Sequence, residues 1–272
     1  MAYDLPVTLL GRTRLCVTRL GIGGAYCDNV RGYQTALDYG ANLVDTARAY
    51  RDGKDEEIIG QAIAGRRDGL VLASKTLERD GAAARRDLET SLRLLGTDFL
   101  DVWYLHHLNT AEHRKRAFAS GGALEVAIKA REQGLVRFIG VTGHDWSEVG
   151  KAVATGQFDV VLCWYNCAMK EAEQLVFSEA SVQGTGVVVM NASRNDKLFA
   201  GAGAPPPVDL YRYVLSCSAV HATVMGLRNV ELFGQVAKGL AECATLSPER
   251  RGELEEYGAR LRGAGLLGVG RP

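Results

Sequence analysis

Neither sign of charge dominates this chain. Lys and Arg together number 32, as do Asp and Glu, so the formal net charge is zero across 272 residues. A whole-surface attraction to nucleic acid or to anionic lipid is therefore not built into it, although a local basic pocket stays compatible. No apolar run approaches the roughly 20 residues that span a bilayer. The opening MAYDLPVTLLGRTRL has no apolar stretch after a basic start and no small-residue cleavage pattern, unlike a secretory leader. These absences lead us to expect a cytoplasmic protein with no nucleic-acid and no membrane partner. The six cysteines, Cys16, Cys27, Cys163, Cys167, Cys217 and Cys243, include no C-x-x-C pair. Cys163 and Cys167 lack a second His or Cys pair, so we expect reduced thiols and no metal. Also missing is a Gly-x-Gly-x-x-Gly that follows a strand and opens a helix. Gly21-Ile22-Gly23-Gly24 comes nearest but lacks the third glycine in register, which argues against two doubly wound dinucleotide-binding domains.

What is present is an alternation. Hydrophobic residues make up 47% and charged residues 24%, the balance of a globular chain. Short apolar runs occur at Arg19–Gly23, Asn42–Val44, Leu70–Ala73, Phe99–Leu105, Phe138–Val141, Asp159–Cys163, Gly186–Met190 and Ala222–Met225. Most are rich in Val, Ile and Leu, as strands buried on both faces are. Helical stretches are expected at Val30–Tyr39, Asp55–Ala64, Ala82–Leu95, Gly122–Gln133, Trp146–Thr155, Glu171–Ala180, Asp209–Cys217 and Arg228–Glu242. Ala82–Leu95 carries Leu88, Leu92 and Leu95 on one face. A last charged helix is expected to start near Pro248 and run to about Arg262. Regular alternation implies parallel strands with crossover helices, and eight units in about 250 residues is the size of a (β/α)8 TIM barrel. Val7–Leu10 and Arg14–Val17 flank Gly11-Arg12-Thr13 and predict an N-terminal β-hairpin that caps the barrel floor. The proline-rich Gly201–Val208 fits a loop. The expectation is one barrel over residues 1–272.

In such a barrel, chemistry sits just after the strands. Asp45 and Tyr50 follow the second run, Lys75 the third, and His106 with His107 the fourth. A Tyr hydroxyl titrates near 10, too high for an efficient neutral-pH acid, and a lysine ammonium beside it favours the phenolate. A buried ammonium needs a counter-charge, which Asp45 can supply. His106 can hydrogen-bond a carbonyl. Each residue has a plainer reading: a loop aromatic, a solvated lysine, a turn-capping aspartate, a core histidine. Taken singly the plainer reading prevails; taken together, on neighbouring strand ends, the four define a proton-donating pocket.

LGRTRLCVTRLGIGG, NLVDTARAYRDGKDEEIIGQAI, LVLASKT, RRDLETSLRLLGTDFLDVWYLHHLN, GLVRFIGVTGH and YVLSCSAVHATVMGLRNVE resemble segments of the aldo/keto reductase family, in family order. The D-T-A-x-x-Y, S-K-T and L-G-T-D-x-L-D-x-x-x-L-H elements are specific in combination. The likeness implies a (β/α)8 barrel that binds NADP(H) across its C-terminal face, with Asp45, Tyr50, Lys75 and His106 as the catalytic tetrad. It implies cofactor contacts at Thr142 and Gly143, where the family has Ser-Asn, and at Met190, where it has a stacking Tyr. It implies further contacts at Ser193 and Arg194 in the segment replacing the pyrophosphate loop, and at Gly226, Arg228 and Asn229, with Arg228 resembling the 2′-phosphate ligand. The family's Gln at the sixth strand is Leu162 or Cys163 here, and its late Glu-Asn is Gln235-Val236. Thr142-Gly143-His144 resembles a subgroup with Ser-Gly-His. The implied activity is hydride transfer between NADPH and a small carbonyl, or the reverse from the alcohol. The eroded nicotinamide contacts keep open a non-redox isomerase, dehydratase or cyclase on the same barrel, or a binding subunit without turnover. The closing GVGRP follows soon after the last helix, so an open or partner-completed pocket is expected.

Overall fold

A computed structural model describes residues 2–199 and 203–267 of the chain. Gly201 and Ala202 of the proline-rich loop, and the closing GVGRP, lie outside the described residues. A two-stranded antiparallel hairpin comes first, β1 (Val7–Leu9) and β2 (Cys16–Thr18), joined through a 3-10 turn at Gly11–Thr13. Eight parallel strands then close a barrel: β3 (Leu20–Gly23), β4 (Leu43–Asp45), β5 (Val71–Thr76), β6 (Leu100–Leu105), β7 (Val136–Gly143), β8 (Val160–Trp164), β9 (Gly186–Met190) and β10 (Ala222–Gly226). β10 pairs with β3 to complete the ring. The (β/α)8 barrel and its hairpin are thus as the sequence indicates.

The helices lie outside: α1 (Val30–Asp38), α2 (Lys54–Ala62), α3 (Gly81–Leu95), α4 (Ala111–Phe118), α5 (Ala123–Glu132), α6 (Trp146–Val153), α7 (Ser178–Gln183), α8 (Pro207–Leu215), α9 (Val230–Glu242) and α10 (Pro248–Gly263). Side-chain caps start many of them, among them Asn29, Asp80, Thr110, Asp145, Asn229 and Ser247. Two features depart from the sequence reading. α4 has only Ala117 buried and shows no apolar stripe, so periodicity gives no sign of it. The helix expected over Glu171–Ala180 begins as a π-helical turn at Glu173–Phe177 before α7. There Gly150 lies so close to the Leu175 carbonyl that an added Cβ would stand 1.8 Å from it.

Strand alternation sorts side chains into two cores. Leu43, Val71, Ala73, Val102, Tyr104, Val160, Leu162 and Val188 fill the barrel interior. Val44, Leu72, Trp103, Leu105 and Val161 point outward against the helices. Gly140 leaves room for the interior Tyr104 ring, since an added Cβ would lie 2.2 Å from Tyr104 Cδ1. The hairpin plugs the floor: Leu10, Leu15 and Val17 join the interior cluster from below. Arg12 fastens the plug, with Nε donating to Asp159 at 3.0 Å and the guanidinium reaching the Gly156 and Phe158 carbonyls. Leu10→Ala should therefore open a void at the floor and cost about 2–5 kcal/mol of stability. Urea denaturation measures it, and a loss under about 1 kcal/mol would show that the hairpin is not part of the core.

Candidate active site

The alternation that fills the barrel also aims the polar groups. Leu43 points inward, so Asp45 does too. Val71 and Ala73 carry the inward face of β5 to Lys75, and Val102 and Tyr104 carry that of β6 to His106. Register sets Asp45 beside Ala73 and Lys75 beside Tyr104. Parallel pairing continues past the strands, with Thr46 N–H to Ala73 O at 2.9 Å and His106 N–H to Thr76 O at 2.9 Å. Three strand ends therefore deliver three polar side chains to one level of the mouth.

Tyr50 arrives by a separate device. It opens a 3-10 turn whose Arg51 and Asp52 both adopt left-handed φ, 52° and 55°. Two fully buried carboxylates pin this loop. Asp55 accepts from Tyr33 Oη at 2.6 Å and from Thr46 Oγ1 at 2.5 Å. Glu56 accepts from Ser74 Oγ at 2.6 Å and from Arg48 Nη1 at 2.8 Å. The sequence reading passed over both residues. They stand in the first turn of α2, where acidic side chains ordinarily face solvent, and only tertiary contact turns them inward.

At the centre, Lys75 Nζ donates to Asp45 Oδ2 at 2.6 Å and to the Thr46 carbonyl at 2.6 Å. Its third direction faces Tyr50, whose ring centroid lies 4.8 Å away. Burial acts to lower the Lys75 pKa, but Asp45 and Tyr50 outweigh it and hold the ammonium above its ordinary value. Lys75 does act to lower the Tyr50 pKa, as the sequence implies, but it does not set the net direction. Burial raises it, Lys75 pulls it down, Asp45 pushes it up, and the net direction is upward. Tyr50 therefore keeps its proton at neutral pH.

His106 stands across from Tyr50, ring centroids 5.8 Å apart and edge to face. Burial first, then the Lys75 charge, keeps its pKa well below the ordinary histidine value, and Nδ1 is buried without a partner among the described residues. From His106 a ladder of rings runs along the mouth: His107 at 4.0 Å, His144 at 4.3 Å from that, and Trp164 at 4.6 Å from His144. His107 has a left-handed φ of 55°, and its exit is held by Arg79, whose Nη2 donates to the His106 and His107 carbonyls. Arg79 and Tyr26 had no signal in the sequence.

The cavity beneath these rings has a volume of about 240 Å³. Among the cofactor-side residues, Met190, Ser193, Gly226 and Arg228 line it together with Asp45, Tyr50 and His106. Thr142 and Gly143 fall inside β7, fully buried behind that surface, and Thr142 Oγ1 has no partner among the described residues. Arg228 lies 3.8 Å over the Tyr26 ring, with Asp196 at 3.7 Å. Arg194 instead turns over Trp164, 4.9 Å from that ring. Asn229 is the N-cap of α9, accepting from Leu232 N–H. No group of three or more His, Cys, Asp or Glu able to hold a metal occurs among the described residues.

A closed parallel barrel with Asp45, Lys75, Tyr50 and His106 gathered at its C-terminal mouth defines an enzyme-like class of site. The comparisons name the family. The sequence profile of the Aldo/keto reductase family matches residues 26–194, more than half of the chain, and the chain belongs to that family. It is 30% identical over 164 residues to an aldo-keto reductase of Bacillus subtilis, YhdN, covering 56% of this chain and 48% of that one. It is 32% identical over 126 residues to the Escherichia coli methylglyoxal reductase YeaE, covering 44% and 40%. The chain thus matches about half the length, or less, of these curated relatives. Among solved structures, aldo-keto reductase AKR11C1 of Bacillus halodurans aligns with TM-score 0.83 at 20% identity, over 93% of this chain and 96% of that one. An aldo/keto reductase of Klebsiella pneumoniae in complex with NADP and acetate aligns with TM-score 0.77 at 23% identity, over 94% and 96%.

The ring ladder makes a pH prediction. Burial, then neighbouring charge, holds His107 and His144 down to about 4, against an ordinary value near 6.5. Below about pH 6.5 the unfolded chain takes up protons that the folded chain refuses, so this stability is full above that value and is lost as pH falls toward about 4. The melting temperature should fall through this window, and a His107→Asn/His144→Asn variant should fall less steeply. Identical slopes for the two proteins would remove these rings as the source.

Proposed function

We propose that this protein transfers hydride between NADPH and a small carbonyl compound, or in reverse from the alcohol, with Tyr50 as the proton donor and acceptor. One observation carries the reading: the Lys75 ammonium is clamped between Asp45 and Tyr50, and a neutral His106 stands edge to face with the Tyr50 ring. The E. coli relative bears the name methylglyoxal reductase, and the Klebsiella relatives hold NADP or NADPH, which supports the same chemistry here.

The residues fit a dinucleotide. Asn191 lines the cavity, and its buried Nδ2 has no partner among the described residues, the kind of donor that a ligand carbonyl satisfies. Arg228 stands at the N-terminus of α9, where backbone N–H groups and a guanidinium together favour a phosphate. When bound, the reduced dinucleotide supplies the hydride. Tyr50 Oη then gives its proton to the carbonyl oxygen, which completes the alcohol. Burial has kept that proton in place, and Lys75 stabilises the phenolate left behind. His106, uncharged, can donate one hydrogen bond to the carbonyl and fix its orientation without competing as an acid.

Tyr50→Phe should fold normally and lose roughly 10²–10⁴-fold in turnover with any aldehyde it reduces. Near-normal rates would remove Tyr50 from the reaction. Titration of Trp fluorescence with NADPH and NADH tests the cofactor. NADPH should bind roughly 10–100-fold more tightly, and Arg228→Ala should erase most of that gap while NADH affinity stays nearly constant. Equal affinities in the unmodified protein would sink the Arg228 assignment. Binding of neither nucleotide would transfer the same four residues to non-redox proton transfer.

A further inference from the structure

Strand alternation leads to an expectation that the end of β6 breaks. Tyr104 points into the barrel and Leu105 out against the helices, so His106 should point in and His107 out. Both imidazoles nevertheless line the cavity that holds Tyr50. The backbone shows where the pattern stops. N–H groups two residues apart leave a strand on the same edge. Here His106 N–H reaches Thr76 O on β5, whereas Leu108 N–H reaches Thr142 O on β7, each at 2.9 Å. His107, between them, takes a left-handed φ of 55°, a region that favours glycine. One side chain meets this turn. Arg79 Nη2 donates to the carbonyl of His106 at 2.5 Å and to that of His107 at 2.9 Å. Nη1 donates to the Leu77 carbonyl on its own loop at 2.8 Å. Two successive carbonyls, which an extended strand sends to opposite edges, thus share one nitrogen.

Arg79 is itself held in place. It is buried, its carbonyl accepts from Ala123 N–H at 3.0 Å, and Gly81 N–H donates to Gly121 O at 2.9 Å. Among the described residues its guanidinium bonds only backbone carbonyls. Burial lowers its pKa to about 10, which leaves it charged at neutral pH. We propose that Arg79 is a positioning residue: its planar fork fixes the His106–His107 turn and so presents two adjacent imidazoles, instead of one, to the carbonyl substrate. This rests on the reading of Tyr50 and His106 as the reacting groups. Arg79 does not line the cavity, so its influence passes through the backbone. Arginine suits the task because one planar group serves two loops at once, which a single lysine nitrogen does not. The charge reaches His107 as well. Burial first, then Arg79, Lys75 and His113, hold that ring down to about 4, with the His106 and His144 rings packed against it. His107 therefore stands uncharged beside His106, a second hydrogen-bonding group on the same wall.

Arg79→Met and Arg79→Lys test this, with methylglyoxal, propanal and benzaldehyde as probes of NADPH-dependent reduction. Arg79→Met should lower kcat/KM by roughly 100-fold for whichever probe the unmodified protein reduces, as a displaced reacting geometry does. NADPH affinity, read by Trp fluorescence, should stay nearly unchanged. Two readouts are independent of turnover. NMR contacts between the His107 and His144 rings should be lost, and the His107 imidazole should titrate well above about 4 once the cation is gone. Arg79→Lys keeps the charge without the fork, so it should leave His107 titrating low and recover only part of the rate. Full turnover in Arg79→Met with the ring contacts intact overturns the proposal. So does an Arg79→Met variant whose NADPH affinity falls as far as its turnover, because Arg79 then supports the whole mouth and not the two histidines. If Arg79→Met does not fold, Arg79→Lys decides: full turnover with unmoved rings overturns the fork, and partial turnover with displaced rings upholds it. Loss of the ring contacts in Arg79→Met, with no probe reduced by the unmodified protein, upholds the positioning role and counts against the hydride-transfer reading instead.

Discussion

Burying a lysine ammonium in the throat of a barrel is the constraint from which the rest of the site follows. Lys75 has no exposed side-chain surface, and an isolated ammonium there would give up its proton rather than stay charged. Asp45 prevents this, but a single ion pair leaves two N–H groups to satisfy. The Thr46 carbonyl takes one, and Tyr50 faces the other. Three donors with three acceptor directions describe an ammonium, since a neutral amine has only two N–H groups. Asp45 and Tyr50 outweigh burial and hold that ammonium above its ordinary pKa. Tyr50 inherits its own state from the same arrangement: burial raises its pKa and holds the proton, while the nearby ammonium acts in the opposite direction and favours the phenolate.

Such an arrangement works only if the loop carrying Tyr50 stays where it is, and the second pair of buried carboxylates meets that need. Asp55 ties Thr46 to Tyr33, and Glu56 ties Ser74 of β5 to Arg48 of the loop. Gly24 takes part by absence, because a Cβ there would lie 2.3 Å from Asp55 Oδ2. The β4 end, β5, α1 and the loop are therefore joined by short polar contacts immediately around Asp45, Tyr50 and Lys75. A left-handed Arg51-Asp52 turn, unfavourable by itself for non-glycine residues, persists because this frame over-determines it.

Much of this was legible in the sequence, for identifiable reasons. Eight apolar runs at regular spacing give a parallel barrel because strands covered on both faces leave that signature. Asp45, Lys75 and His106 were legible because each sits at even spacing from interior residues of its own strand, so the pattern that fills the core also aims them. Other parts depend on contacts that spacing does not encode. The first run past β7 reads as a loop at Thr142 and Gly143, but β7 extends through both, because Thr142 pairs with Leu162 and Gly143 with Cys163 on β8. α4 has a cap, Thr110, but almost no apolar face. Asp55 and Glu56 look like ordinary first-turn acids until the barrel closes on them. The net direction of Tyr50's pKa is hidden for the same reason: the lysine that lowers it is visible in the sequence, and the burial that outweighs the lysine is not.

The charges at the mouth are sorted by position, and that sorting is a property of the whole ring. At the reacting centre, Asp45 cancels Lys75, and His106, His107 and His144 are all held neutral by burial and by nearby cations. The centre of the mouth therefore carries hydrogen-bond donors with their charges cancelled, and the ammonium behind Tyr50 is the nearest full cation to that hydroxyl. Arg228 stands at the rim over Tyr26, partly offset by Asp196, while Arg194 lies buried against Trp164. Arginine suits these positions because it stacks on an aromatic face while its edge stays free for an oxyanion. A chain of zero net charge can thus hold a local basic rim around a neutral centre. That separation follows from burial: at the reacting centre a charge is kept only where a partner cancels it, as Asp45 does for Lys75.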